Sequence, residues 1–250
     1  SIITSTLTSR AKESEVIRIE VEKEKTRGNL LRAVSHDLRT PLTSISGAVS
    51  AIMENDGVLS HDECMDLLSG AQSDAQWLIR MVENLLTVTR MGTDSAECLV
   101  KTPEAVEDIL AGAIRKFQKT YPDIDVAVDM PGNCLLVPVD PVLIEQVLFN
   151  LLENAAIHGR IVDRVEVTVS ETGGQALFRV RDNGAGIDPV KIPHLFDGYL
   201  LGSNETAGDS KRSMGIGLTV CNTIIKAHGG TLRGYNDPGG GAAFEFLLNL

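Results

Sequence analysis

The sequence predicts two unlike halves: an all-α helical hairpin, which as a dimer makes a four-helix bundle, followed by an α+β two-layer sandwich. Three observations carry that expectation. The chain has 250 residues, and at about 100–200 residues per domain that is room for two. Residues 10–90 place apolar side chains at alternating steps of four and three between charged flanks, a coiled-coil-like pattern. After residue 97 the pattern breaks into short strands and helices in mixed order, which suits helices layered on a mainly antiparallel sheet. The boundary falls near residue 95, dividing the chain into 1–95 and 96–250.

Residues 10–45 read as one long helix with Arg10, Ser14, Ile17, Val21, Glu24, Gly28, Leu31, Ser35, Leu38, Leu42 and Ile45 along one seam, turning apolar as it proceeds. Asn55-Asp56-Gly57 signals a turn. Ser60 and Glu63 form a capping box that opens a second helix running to about Arg90. Its stripe is Cys64, Leu68, Ala71, Ala75, Leu78, Val82, Leu85 and Thr89. A lone hairpin leaves most of such a stripe in water, and two hairpins packed together bury it, so a homodimer is expected. The alternative is that the stripe packs on the second half.

The second half reads as a helix at 103–119, strands near 124–129 and 134–138, and a helix at 141–157. A strand pair follows at 163–170 and 175–181 around Gly173-Gly174. A glycine-rich region then leads to a last helix at 215–228 and a final strand pair at 231–235 and 242–248. Asp140-Pro141 starts its helix with an N-cap Asp and Pro at the first helical position.

Composition removes several classes. The net charge is −11. Residues 1–95 hold 10 basic and 14 acidic side chains, the rest 13 and 20, so neither half offers the basic face that nucleic acid needs. An anionic membrane surface is disfavoured for the same reason. No apolar run approaches about 18 residues, so no transmembrane helix is expected. The four cysteines, Cys64, Cys98, Cys134 and Cys221, form no CxxC and read as buried, reduced thiols. The N-terminus lacks an initiator Met and a leader pattern, so the chain reads as a piece of a longer one.

Ser35-His36-Asp37-Leu38-Arg39-Thr40-Pro41-Leu42 breaks local rules inside the first helix. Pro41 cannot donate to the carbonyl of Asp37 and crowds that turn, at about 3 kcal/mol or more. His36 lies off the seam with Asp37 beside it. A neutral imidazole can attack through one nitrogen while the other donates to a carboxylate, which makes His36 a candidate nucleophile and Asp37 its orienting partner. A surface histidine beside a kinking proline is the plainer alternative.

Three further pieces point to a nucleotide. Asn150 and Asn154 are four apart and share a helix face, with Val147, Leu148, Leu151 and Leu152 opposite. Carboxamide oxygens suit a hard cation such as Mg²⁺, although paired Asn also occur on ordinary helix surfaces. Asp182-Asn183-Gly184-Ala185-Gly186-Ile187 follows a strand. Its glycines permit positive φ and close approach of a ligand, and Asp182 can accept from an exocyclic amine. Gly215-Ile216-Gly217-Leu218 opens a helix whose N–H groups favour phosphate, with Lys211 and Arg212 just upstream. Residues 197–213 between these pieces are polar and long enough for a lid.

Taken in order, these pieces resemble the sensor histidine kinases of two-component signalling. Ser35–Leu42 is similar to the H box, Asn150–Ala155 to the N box, Asp182–Ile187 to the G1 box, Pro193-His194-Leu195-Phe196 to the F box, and Gly215–Leu218 to the G2 box. The resemblance implies a dimerisation and histidine phosphotransfer domain followed by a Bergerat-type ATP-binding domain. It implies a protein histidine kinase that uses ATP and Mg²⁺ and passes the phosphoryl group to the receiver domain of a response regulator. His36 would be the phosphoacceptor, Asp37 its acid/base partner, and Thr40 the residue that positions water for dephosphorylating the regulator. Asn154 and Asn150 would hold Mg²⁺. Asp182 would bind the adenine amine, with Gly184, Gly186 and Ile187 beside it. Phe196 would anchor the lid, and Gly215, Ile216, Gly217 and Leu218 would cradle phosphates. Where many relatives carry Lys or Arg three residues after the second Asn, this chain has Ile157 and then His158, so His158, Arg160, Lys211 or Arg212 would supply that contact. Ser213 replaces a glycine common before the G2 pair. Asp197-Gly198-Tyr199 and Lys211–Cys221 look most like KdpD-type, potassium-sensing kinases. By the same resemblance the chain would be the cytoplasmic domain of a bacterial plasma-membrane protein, anchored through a preceding part. Rival readings are an ATP-driven clamp with the same nucleotide fold and an inactive dimeric scaffold.

Overall fold

The computed structural model describes residues 38–55, 58–91, 99–132, 134–159, 162–196 and 216–250. His36, Asp37, Cys98, Arg160, Lys211, Arg212, Ser213 and Gly215 therefore lie outside the described residues, as do the helix expected over 10–37 and the expected lid at 197–213. Of the described residues, those through Arg80 form one compact unit and those from Met81 onward form a second.

In the first unit, helix α1 covers 38–54 and runs nine residues past the expected end at 45. Helix α2 spans His61–Met91 and continues into the second unit. Its start is the expected capping box: the Ser60 N–H donates to Glu63 Oε2 at 2.8 Å and the Glu63 N–H donates to Ser60 Oγ at 3.3 Å. Those bonds from Ser60 hold the Glu63 carboxyl below its ordinary range.

The covered rows differ from the expected seams by one residue at alternate steps. On α1 the covered positions are Leu38, Pro41, Ile45, Ala48 and Ile52, while Leu42, expected on the seam, is 54% exposed. On α2 they include Cys64, Leu67, Ala71, Asp74, Leu78, Met81 and Leu85; Ala75 of the expected seam is covered as well, whereas Leu68 and Val82 are exposed. Thr89 is helical, but its side chain lies outside the described residues. The apolar band on each helix is wider than one seam. One chain covers one edge of it, and Leu42, Val49 and Met53 on α1 and Leu68, Ile79, Val82 and Leu86 on α2 form the other, exposed edge.

The second unit is an α+β two-layer sandwich. Its order is β1 (Thr102–Ala105), α3 (Val106–Thr120), β2 (Asp125–Asp129), β3 (Leu136–Val139), α4 (Pro141–His158), β4 (Arg164–Thr172), β5 (Gln175–Asp182), α5 (Ile216–Ala227), β6 (Thr231–Asn236) and β7 (Ala242–Asn249). The main sheet runs β2-β4-β5-β7-β6; β2 is parallel to β4 and the other pairs are antiparallel. A separate antiparallel ribbon pairs β1 with β3. That ribbon corrects the expected helix at 103–119: residues 102–105 are strand, and helix starts only at Val106. Pro103 sits opposite Pro138, and neither costs a ladder bond that a central strand would need.

Alternation along the strands sends one row inward. In β5, Ala176, Phe178, Val180 and Asp182 are buried while the residues between them are half-covered. Phe178 stacks on Phe246 of β7 at 4.6 Å between ring centroids. Helix α4 lays Ile144, Val147, Leu148, Leu151 and Leu152 into the same core, each at most 1% exposed. Asp140 caps α4 by accepting from the Val142 and Leu143 N–H groups at 3.1 and 3.3 Å, a cap worth about 1 kcal/mol. His228, just past α5, joins two helices: its Nδ1–H donates to the Ile224 carbonyl at 2.8 Å and its Nε2 accepts the Asp140 N–H at 3.1 Å. Burial holds the His228 pKa below its ordinary value; the Ile224 carbonyl and the Asp140 charge push it up, and the Lys101 charge pushes it down.

The cysteines depart in part from expectation. Cys221 is buried and burial pushes its thiol up to about 12, while Cys64 is half-covered and Cys134, in the loop before β3, is exposed. A loop residue has no layer above it, so Cys134 escapes the burial typical of a free thiol.

Candidate functional site

The C-terminal ends of β5 and α4 and the start of β7 meet around a small cleft. Asn154, His158, Gly159, Asp182, Gly186, Ile187 and Ala242 line it, and its volume of about 20 Å³ has room for about one water molecule.

Asp182 is the last residue of β5 and falls on the buried row, so the period of the strand carries a carboxylate to the edge of the core at 5% exposure. Its Oδ1 accepts from the Gly184 N–H at 2.8 Å and from the Ala242 N–H at 3.1 Å. With Oδ1 occupied twice, Oδ2 is the oxygen left for a donor in the cleft. Two backbone donors compensate a buried carboxylate without a counter-ion.

The glycines act in different ways. Gly186 adopts φ +76°, as expected. Gly184 is not among the positive-φ glycines, which corrects that part of the expectation. Its requirement is close backbone approach: a Cβ there would come 2.4 Å from the Gly159 carbonyl oxygen, which also accepts the Ala185 N–H at 3.2 Å. The loop after β5 therefore rests on the C-terminal end of α4. Ile187 is held by a residue that sequence reasoning passed over. Its N–H donates to Asn236 Oδ1 at 2.6 Å, and Asn236 Nδ2 donates to its carbonyl at 2.7 Å.

The two asparagines of α4 separate. Asn154 lines the cleft. Asn150 lies one turn back, where its Nδ2 is buried without a hydrogen-bond partner and its carboxamide acts on the buried Cys221 thiol of α5. His158 keeps part of its ring in solvent, yet burial lowers its pKa and the Lys191 charge lowers it further, so the imidazole is held neutral. Lys191, another residue absent from the sequence reasoning, thus brings positive charge to this end of the cleft.

The remaining expected residues that the structure describes are not part of the cleft lining. Thr40 is exposed on α1. Phe196 is half-covered, just after a single 3₁₀ turn at Ile192–His194. Ile216 begins α5, although its side chain is outside the described residues, and Gly217 and Leu218 follow in the first turn. Among the described residues no atom lies within 4 Å of a Cβ added at Gly217. Among the described residues no group of three or more His, Cys, Asp or Glu could hold a metal by itself, and no helix is long and apolar enough to cross a membrane.

Comparison with known proteins accounts for this combination. Residues 26–94 match the His Kinase A (phospho-acceptor) domain, and residues 139–250 match the histidine kinase-, DNA gyrase B- and HSP90-like ATPase domain. The C-terminal unit is accordingly an ATP-binding domain, and the chain belongs to the sensor histidine kinases. Among relatives, it is 36% identical to the sensor protein KdpD of Clostridium acetobutylicum and 30% identical to KdpD of Escherichia coli. These matches cover 95% and 97% of this chain. The chain spans about a quarter of each of those proteins, 26% in both cases. The solved complex of the histidine kinase ThkA with its response regulator TrrA has the same fold, with a TM-score of 0.67 at 21% identity over 91% of this chain and 63% of that one.

Proposed function

We propose that the protein transfers the γ-phosphoryl group of ATP to His36 and then to an aspartate in the receiver domain of a response regulator. The observation that carries this reading is the cleft around Asp182: a buried carboxylate with one oxygen left for an amine donor, beside Asn154 and the neutral His158. The division of labour is residues 1–95 for dimerisation and the phosphoacceptor, and 96–250 for ATP. The matched spans 26–94 and 139–250 support it.

In this reading Asp182 Oδ2 accepts from the adenine amine, and the first turn of α5 at Gly217 offers N–H groups to phosphate. One ring nitrogen of His36 attacks the γ-phosphorus while Asp37 takes the hydrogen bond from the other; the bond from phosphorus to the β,γ-bridging oxygen breaks, ADP leaves, and positioning contributes most of the rate. Asn154 fits a Mg²⁺ site, because a neutral carboxamide oxygen is a hard donor; Asn150, whose amide nitrogen is buried and which does not line the cleft, would have to turn to join it. When bound, Mg²⁺ would share its coordination with nucleotide phosphates and neutralise their charge. The exposed apolar rows Leu42, Val49, Met53 and Leu68, Ile79, Val82, Leu86 fit a second copy of the hairpin, so the functional unit is a homodimer. ATP use puts these domains in the cytoplasm, as part of a longer membrane-anchored sensor. No direct nucleic-acid contact is proposed for a chain of net charge −11.

Incubation with Mg²⁺ and γ-labelled ATP tests the reading. The wild type acquires an acid-labile, base-stable label and His36→Gln acquires none; label retained in His36→Gln removes the site assignment. Thr40→Ala keeps autophosphorylation and loses dephosphorylation of the regulator. Persistent dephosphorylation in that variant ends the role given to Thr40.

A further inference from the structure

We infer that Asn236 is a positioning residue for nucleobase recognition at Asp182, an inference that rests on the nucleotide reading above. Asn236 closes β6 and is exposed, and it is not one of the cleft-lining residues. Its carboxamide pairs reciprocally with both main-chain groups of Ile187, at 2.6 and 2.7 Å. A side-chain amide placed in this way does what a neighbouring strand would do for a loop residue that lies beyond the end of β5. The fit is close. Gly186, with φ +76°, would bring an added Cβ to 2.8 Å from Asn236 Oδ1.

The far end of the same β6–β7 turn holds Asp182 itself. The Ala242 N–H donates to Asp182 Oδ1 at 3.1 Å. Gly241, with φ +83°, packs so closely that a Cβ would come 1.9 Å from the Asp182 carbonyl oxygen. The turn between is closed on itself: the Asp237 N–H donates to the Gly241 carbonyl at 3.0 Å, and the Gly240 N–H donates to the Asp237 carbonyl at 2.9 Å. The Asp237 carboxylate is tied to the sheet by ion pairs with Arg179 and with Arg181, the latter at 3.2 Å. One anchored turn thus orients the base-reading carboxylate at one end and, through Asn236, holds the Gly186–Ile187 wall of the cleft at the other. A site that reads a single amine discriminates only as well as its walls hold the ring in register.

The test is displacement of a fluorescent trinitrophenyl nucleotide by ATP and by GTP, together with steady-state autophosphorylation and thermal melting. Asn236→Ala should raise the ATP Kd and KM about tenfold, the effect of two lost hydrogen bonds. It should narrow the preference for ATP over GTP and leave kcat at saturating ATP and the melting temperature near wild type. Asn236→Asp is isosteric and carries the test if the alanine variant does not fold. It keeps an acceptor for the Ile187 N–H but sets a second oxygen against the Ile187 carbonyl, so it should bind ATP no better than Asn236→Ala. Wild-type affinity and base preference in the folded variants overturn the inference. So does an equal fall in kcat and affinity with a lowered melting temperature, which would make Asn236 a general stability residue. If the wild type binds neither nucleotide, the nucleotide reading fails and takes this inference with it.

Discussion

The helical hairpin and the C-terminal sandwich use their apolar residues in opposite ways. In the sandwich, Phe117, Phe178, Phe246, Ile144, Leu148 and Leu151 are at most marginally exposed, and the core closes within one chain. In the hairpin, Leu42, Val49, Met53, Leu68 and Ile79 stay between 43% and 75% exposed, in rows that repeat with the helix. The difference teaches where each part gets its stability. Three helices over five strands enclose a core, whereas two helices present an apolar band with only one edge covered. One part closes its core within the chain; the other leaves apolar rows exposed, which under the proposed dimer a second copy would cover.

That contrast can be broken from either side. The largest effect is expected from Phe178→Ala, which removes the partner stacked on Phe246 in the centre of the sandwich. It should cost about 3–5 kcal/mol, seen as a lowered calorimetric transition for the C-terminal unit and lost nucleotide binding, with the dimer retained. Next, Leu68→Glu with Val82→Glu should leave the sandwich transition unchanged and shift sedimentation to the monomer, because a carboxylate buried between copies is uncompensated. A dimer that survives both charges would mean that the exposed rows are not the interface. Ser60→Ala should cost the hairpin about 1 kcal/mol through loss of the capping box, read as reduced helicity and melting temperature.

The smallest effect should come from His228. Its folded pKa lies below the unfolded value of 6.5, so the unfolded chain takes up the proton first as pH falls. Its contribution is therefore complete above about pH 6.5 and is lost as pH falls through the lower folded value. The slope should be measurable in the urea midpoint of the wild type and reduced in His228→Gln. An unchanged slope in that variant would assign the pH dependence to other groups.

How much was legible beforehand varied with the kind of signal. The Ser60–Glu63 box, the Asp140-Pro141 helix start, the Gly173-Gly174 turn and the alternation of β5 are local. Each is set by one residue's donors, acceptors or φ preference, and each appears where expected. The helix expected from 103 starts only at Val106, because pairing with β3, invisible along the chain, makes residues 102–105 strand. The seams were displaced because heptad counting locates the centre of an apolar band and not the edge that one chain covers. At the site, Asp182, Asn154, His158, Gly186 and Ile187 line one cleft, whereas Asn150, Phe196, Gly217 and Leu218, read as part of the same site, do not. Asn236, Gly241 and Lys191 were invisible because their relations to Ile187, Asp182 and His158, respectively, join segments far apart in sequence.

By itself the amino-acid sequence determined the two-part architecture, the helix and strand periods, the acidic charge balance and the ordered set of boxes that marks a histidine kinase. These follow from local propensity, from periodicity and from residue types whose chemistry travels with them. Only the tertiary structure decided that Gly184 is needed for backbone contact with Gly159, that Asn154 meets the cleft while the Asn150 amide nitrogen is buried away from its lining, and that a distant turn holds Asp182. The reason is physical. A hydrogen bond or a missing Cβ has consequence only through what lies opposite, and chain folding, not spacing along the chain, brings that partner there.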